Sequence, residues 1–342
     1  MSYCTSAERE SMGVRAGKEA EMKAAAIDGY GGSDRLVVRD LPDPGPPGPG
    51  EVLVRVRAAS VNPIDWKIRR GNLRLVMPLK LPWVLGYDVA GEAVEIGPEV
   101  TRFAPGDAVF GGVETRRHGG SCAELALARD SSLAAKPEAL SFEQAAALPM
   151  AGLTALQALR DKGELAAGEK ALVNGASGGV GHLAVQIAFA LGARVTAVTS
   201  RRNLDFVRGL GAHELIDYEE EDFAGRDESW DVVFDAVANH TYADCEPILS
   251  RDGGIYVTTL GGPRLMVWIG LTSLGGLFGQ RKRARLIVMK YRAEDLTVLA
   301  HWAGQGRLRP EIQEVFPVEE IRKAHELSES GHVRGKVVVR VG

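Results

Sequence analysis

Hydrophobic and polar positions alternate at 52–57, where Val52, Val54 and Val56 are interleaved with Leu53, Arg55 and Arg57. That period of two belongs to a half-buried strand. Short apolar runs at 89–96, 108–110 and 123–127, separated by glycines, extend the pattern, so the first half of the chain from Met22 is predicted to be β-rich. The preceding segment 41–50 holds five prolines and three glycines and reads as a connecting loop. Around Ser141 the period changes. Ser141 with Gln144 makes a helix-starting capping box, and helical sequence runs through Leu148 and again over 154–160. A domain boundary is placed here. Strand-like segments follow at 170–174, 194–199, 214–216, 231–236, 254–259 and 286–289, most of them separated by helical sequence. Alternating β and α elements imply a parallel sheet covered on both faces. The last fifty residues return to a helix, a strand at 314–317, another helix and a strand at 336–341, which are predicted to complete the first domain.

Composition narrows the class. At 342 residues, two domains are expected. Hydrophobic residues make up 45% and charged residues 25%, as in ordinary globular proteins. The balance of 41 Lys and Arg against 45 Asp and Glu gives a net charge of −4, which excludes the positive field that nucleic-acid binding needs. The basic run Arg281, Lys282, Arg283 and Arg285 has no aromatic platform beside it and reads as a solvated face. Cys4, Cys122 and Cys245 form no C-x-x-C pair, which excludes a disulfide framework and a four-thiolate zinc site. A reducing compartment follows, and the cytoplasm is the expected location. The most apolar stretch, 265–278, is interrupted by Gly270, Gly275 and Gly276, so no membrane span is predicted. Residues 1–21 lack an apolar signal core, carry Glu8, Glu10, Glu19 and Glu21, and read as a disordered tail.

The chemistry concentrates in Gly175-Ala176-Ser177-Gly178-Gly179-Val180-Gly181, which follows a strand and opens a helix. Small residues let the backbone approach a pyrophosphate, and the helix start offers N–H donors and a favourable dipole. Ala176, Ser177, Gly178, Gly179 and Val180 are therefore predicted cofactor contacts, with Ala176 in the place of the first glycine. An NAD-binding sheet carries an acid about 20 residues further on. Here the second strand ends Thr199-Ser200-Arg201-Arg202, and no carboxylate appears until Asp205. A hydroxyl and two guanidinium groups suit a phosphate dianion, so Ser200, Arg201 and Arg202 predict NADPH rather than NADH.

With Ser60-Val61-Asn62-Pro63-Ile64-Asp65-Trp66-Lys67, Gly86-Tyr87-Asp88-Val89-Ala90-Gly91, Gly119-Gly120-Ser121-Cys122-Ala123-Glu124, Gly152-Leu153-Thr154-Ala155 and Gly335-Lys336-Val337-Val338-Val339, the chain resembles the medium-chain dehydrogenase/reductase superfamily. The likeness is to its zinc-free quinone oxidoreductase branch and runs from 22 to 341. The resemblance implies an α/β fold, a Rossmann-type doubly wound parallel sheet plus a β-rich GroES-like catalytic domain. The boundaries expected are 22–145 with 292–342 for the GroES-like domain and 146–291 for the NADPH-binding domain. Zinc-dependent relatives carry a cysteine where Asn62 lies and a His-Glu pair where Tyr87 and Asp88 lie, so no metal is expected. His118 and Cys122 are spaced like ligands but lack a third partner.

A zinc-free site implies hydride transfer to a small apolar quinone or α,β-unsaturated carbonyl, in which charge develops on the acceptor oxygen. By resemblance Lys67 stabilises or protonates that oxygen. Tyr87 either donates to the same oxygen or packs over the cofactor, and Asn62 and Asp65 fix the loop that carries Lys67. Thr154 is expected at the nicotinamide and Tyr218 at the adenosine end, with Val237 and Leu260 as further cofactor contacts. The segment 265–278 is expected to shape an apolar acceptor pocket or to bury in a homodimer. A catalytically weak NADPH-binding redox-responsive protein and an enoyl-thioester reductase are the competing functions.

Overall fold

A computed structural model describes residues 21–113, 119–275 and 281–342. His118, Cys4, Gly276, the acidic tail residues before Glu21 and the end of the apolar stretch lie outside them. Eight strands come first: β1 (Glu21–Ile27), β2 (Leu36–Pro42), β3 (Glu51–Val61), β4 (Trp83–Val84), β5 (Asp88–Ile96), β6 (Ala108–Gly112), β7 (Leu125–Arg129) and β8 (Leu133–Ala135). β3 is the spine of this part, paired antiparallel with both β5 and β7. Val52, Val54 and Val56 are buried as the alternation predicts, but Leu53 is buried as well.

The second part is a six-stranded sheet of β9 (Lys170–Asn174), β10 (Arg194–Thr199), β11 (Glu214–Asp217), β12 (Val232–Asp235), β13 (Ile255–Thr258) and β14 (Arg283–Leu286). Every pairing in it is parallel, in the order β11-β10-β9-β12-β13-β14. Counted along this part of the chain, that is the doubly wound order whose direction reverses between the first and fourth strands. Ligands bind at such a reversal, beyond the carboxyl ends of the strands, so Asn174 and Asp235 mark the site.

Two elements differ from the sequence pattern. The last strand of this sheet is not 286–289 but Arg283–Leu286, overlapping the basic run. Its Arg-Ala-Arg-Leu alternation puts Ala284 in the core and sends Arg283 to Glu164 at 2.8 Å, while Lys282 reaches Glu246 at 2.9 Å. The basic run is thus partly paired strand rather than a freely solvated face. The helix expected over 154–160 is an α-helix, Pro149–Leu156, that widens into a π turn at Gln157–Lys162.

The chain then returns to the first sheet. β15 (Ile312–Pro317) runs parallel to β16 (Lys336–Arg340), and β16 pairs antiparallel with β3 from Val337↔Val61 to Arg340↔Ala58. One core crosses the seam between the two parts: Ala58, Ala90 and Phe110 pack in the same cluster as Leu148, Leu156, Val173 and Phe234. Lys336, the first residue of β16, is thereby carried to that seam.

Candidate functional site

The glycine loop stands between β9 and helix Gly181–Ala190. A side chain at Gly181 would place its Cβ 2.0 Å from the Gly175 carbonyl oxygen, so a glycine is needed for helix and strand to meet this closely. Beside the loop lies a cleft of roughly 480 Å³, lined by Asn174, Gly175, Ser177, Gly178, Ser200, Arg202, Asn203, Tyr218, Val237 and His240 among others. Gly331, His332 and Val333 from the C-terminal segment close one wall. Small residues together with hydroxyl, amide and guanidinium donors in this lining suit the phosphate-bearing part of a dinucleotide.

The donor end is ordered from within. Ser177 Oγ accepts from Thr199 Oγ1 at 2.9 Å and from Asn203 Nδ2 at 3.1 Å, and Asn203 Nδ2 also donates to Ser200 Oγ at 3.2 Å. Arg202 is exposed and lines the cleft. Arg201 does not: its Nη2 lies 2.6 Å from Glu220 Oε1 and its Nε 3.9 Å from Asp217, off the lining. The two arginines expected to act together are therefore separated by what they face.

At the strand ends, Asp235 is fully buried and organises the opposite rim. Its Oδ1 accepts from Asn174 Nδ2 at 2.9 Å and the Ala238 N–H at 2.8 Å, and its Oδ2 from Tyr256 Oη at 3.2 Å. These contacts hold Val237, Asn239 and His240 against the cleft, with a His240 nitrogen 3.1 Å from Asp222 Oδ1. Sequence reasoning missed Asn174, Asp235 and His240. Polar residues closing two apolar strands at the reversal point were the available signal.

The expected catalytic residues sit at the seam. Asp65 Oδ2 accepts the Asn62 N–H at 2.7 Å, closing the first turn of helix Pro63–Arg69, which carries Lys67. Burial pushes the Asp65 carboxyl up to about 7. Lys67 is half-buried, its ammonium 5.5 Å from the centre of the Trp66 ring. Tyr87 is half-buried, its hydroxyl 3.7 Å from Met77 Sδ. Thr154 donates to the Met150 carbonyl at 2.7 Å, and Leu260 is 55% exposed. Lys67, Tyr87, Thr154, Ala176, Gly179, Val180 and Leu260 are not part of the cleft lining beside the glycine loop.

Next to Tyr87, the fully buried Asp88 has both oxygens committed. Oδ2 accepts from Ser60 Oγ at 2.6 Å and Asn62 Nδ2 at 2.9 Å; Oδ1 accepts from the Met150 N–H at 2.8 Å and Tyr291 Oη at 3.1 Å. Lys336 Nζ lies 3.8 Å from Oδ2 and donates to Asn62 Oδ1. Four donors from three stretches of chain thus converge on one carboxylate, and the Asn62 amide is held at both ends.

A second set of bonds ties the glycine loop to the C-terminal segment. The Gly335 N–H donates to the Ser177 carbonyl at 2.8 Å. His182, fully buried, has Nδ1 2.9 Å from the Gly178 carbonyl and accepts the Glu311 N–H at Nε2 at 3.1 Å, so Nδ1 carries the proton. Burial holds its imidazole down to about 4.

Comparison with known proteins agrees with this fold. A family model described as zinc-binding dehydrogenase matches 210–339, and one described as alcohol dehydrogenase GroES-like domain matches 48–152. The chain is 35% identical over 328 residues to the chloroplast envelope quinone oxidoreductase homolog of Arabidopsis thaliana, covering 93% of this chain and 98% of that one. It is 32% identical over 335 residues to 2-methylene-furan-3-one reductase of Solanum lycopersicum, covering 94% and 79%. The solved quinone oxidoreductase from Coxiella burnetii superposes with a TM-score of 0.83 at 36% identity, covering 94% of this chain and 100% of that one.

Proposed function

The chain belongs to the medium-chain dehydrogenase/reductase superfamily, in its quinone oxidoreductase branch, with a GroES-like domain beside a Rossmann-type sheet, and on that premise we propose a zinc-independent, NADPH-dependent reductase of quinones or α,β-unsaturated carbonyls. A nicotinamide-dependent oxidoreductase is the common ground of the family; zinc independence, NADPH and the acceptor are inferred from this chain's own residues. One observation carries it: two of the three positions that would hold a metal, Asn62 and Asp88, are consumed by hydrogen bonds. Asp88 has both oxygens occupied and the Asn62 amide is held at both ends, so neither is free to ligate a cation.

When bound, the cofactor supplies the hydride. The protein's part is position and charge. Ser177 and Gly178 would border a bound pyrophosphate, and Ser200, Arg202 and Asn203 would offer a 2′-phosphate neutral and cationic donors. Asp65 and Asn62 start the helix that presents Lys67. Negative charge growing on the acceptor oxygen is stabilised by the Lys67 ammonium more strongly than the neutral carbonyl is, which lowers the barrier rather than tightening acceptor binding. Cys122 and Cys245 are buried free thiols, which suits the proposed cytoplasmic location. Among the described residues no helix is long and apolar enough to cross a membrane.

The test is single-turnover NADPH oxidation with saturating quinone or enone. Lys67→Met should slow the transfer step by about a hundredfold with little change in NADPH affinity. Full transfer rate in that variant would remove Lys67 from the mechanism. The absence of turnover with every quinone and enone in the unmodified protein would overturn the function itself.

A further inference from the structure

Lys336 is a lysine where lysines are rarely found: its residue is 3% exposed, at the start of a strand whose next three members are valines. Desolvation draws its pKa below the ordinary lysine value, while Asp88 and Asp65 pull it back. Such a group persists where its contacts compensate for burial. Its ammonium donates to Asn62 Oδ1 and lies 3.5 Å from the Val61 carbonyl and 3.8 Å from Asp88 Oδ2. Its stem lies beside the glycine loop: a Cβ added at Gly179 would stand 3.3 Å from Lys336 Cδ and 3.3 Å from the Gly335 carbonyl oxygen. The side chain therefore bonds the segment that carries Lys67 with its head, while its stem runs alongside the loop that borders the cofactor cleft, to which the neighbouring Gly335 N–H is bonded.

We propose that Lys336 is a positioning residue that holds the catalytic loop at 60–69 and the cofactor loop at 175–181 in one register. The role rests on the reading of those segments given above. It follows from how rigidity is distributed: a long flexible side chain loses rotamer entropy when it is fixed, and here it is fixed between two segments that no strand pairing joins directly. Asn62 is the relay. Its amide oxygen takes the lysine and its amide hydrogen goes to Asp88, so the plane of the amide, and with it the start of helix Pro63–Arg69, is set by both.

Hydrogen–deuterium exchange on the full chain tests this without turnover. In Lys336→Met, exchange at 60–69 and at 175–181 should rise together, by about tenfold, while β1, β2 and helix 293–304 keep wild-type protection. A second variant guards against a chain that fails to fold. Gly179→Ala adds one methyl against the lysine stem, and it should speed exchange at 60–69, in the other part of the molecule. In Lys336→Met, kcat for the acceptor should fall about a hundredfold with acceptor KM little changed, as for a misplaced rather than a missing group. Loosening confined to one loop, or spread evenly over the chain, or a Gly179→Ala effect confined to 175–181, would each overturn the positioning role. If the unmodified protein turns over no quinone or enone, the functional reading fails, and the exchange result still judges Lys336.

Discussion

The two ends of the proposed site are built on opposite principles. At the catalytic end, one buried carboxylate takes hydrogen bonds from Ser60, Asn62, Met150 and Tyr291, with Lys336 beside it. At the phosphate end, the Arg201 side chain is 72% exposed and answers to Glu220, and Arg202 is exposed at the rim. The buried end is over-determined, so a change there should be felt as stability and rate together. The open end is solvated and screened, so a change there should be felt as modest affinity.

The sharpest way to break this comparison is Asp88→Ala. It leaves four donors and a buried ammonium without their common acceptor, and removing one partner of a buried charged network costs about 3–5 kcal/mol. Chemical denaturation should register that loss, with Asp88→Asn intermediate because its amide oxygen still accepts two of the donors. A loss below about 1 kcal/mol for Asp88→Ala would show that the seam is not organised by this carboxylate.

His182, buried between the glycine loop and the C-terminal segment, carries the test to pH. Its folded-state pKa is depressed to about 4 from an ordinary 6.5 by burial. The unfolded chain accepts a proton that the folded chain refuses, so stability present above pH 6.5 is lost as pH falls toward 4. The difference corresponds to roughly 3 kcal/mol over that window. His182→Gln should be less stable at neutral pH and should lose less on acidification; an unchanged slope between pH 6.5 and 4 would place the acid sensitivity elsewhere. Asp65 works in the opposite sense. Its pKa is raised to about 7, so its protonated form favours folding below pH 4 and that contribution fades as pH rises through 7.

How much of this was legible beforehand also divides along the two ends. The doubly wound sheet and the glycine loop are local: a strand, a run of small residues and a helix within a dozen positions, which periodicity and spacing can reveal. The resemblance placed Asn62, Asp65, Tyr87 and Lys67 on one candidate site, and Asp88 entered there as a missing metal ligand. That Asp88 gathers donors from 60–62, 150 and 291 was not legible, because those contacts span up to 203 residues of sequence. Lys336 was hidden for a different reason: a lysine beside a valine run reads as an exposed strand end, and tertiary pairing with β3 is what buries it. For the arginine pair, spacing puts Arg201 and Arg202 in one loop but cannot say which of them faces the acids at Asp217 and Glu220.

The smallest expected effect sharpens the comparison at the open end by separating those two arginines. Arg202 lines the cleft beside Ser200 and Asn203, whereas Arg201 is held by Glu220 at 2.6 Å. A guanidinium already paired with a carboxylate would have to give up that contact to reach a phosphate, and on an exposed surface neither contact is worth much more than about 1 kcal/mol. Arg202→Ala should therefore weaken NADPH binding about tenfold and leave NADH nearly unchanged, because the lost charge-assisted contact is to the 2′-phosphate alone. Arg201→Ala should change either affinity by less than about threefold. Titration of both cofactors into both variants, repeated at raised ionic strength, reads the difference, and salt should erode the NADPH preference in the unmodified protein as well. If Arg201→Ala has the larger effect, the arginine exchanges Glu220 for the cofactor on binding, and the open end is rearranged by its ligand rather than merely filled.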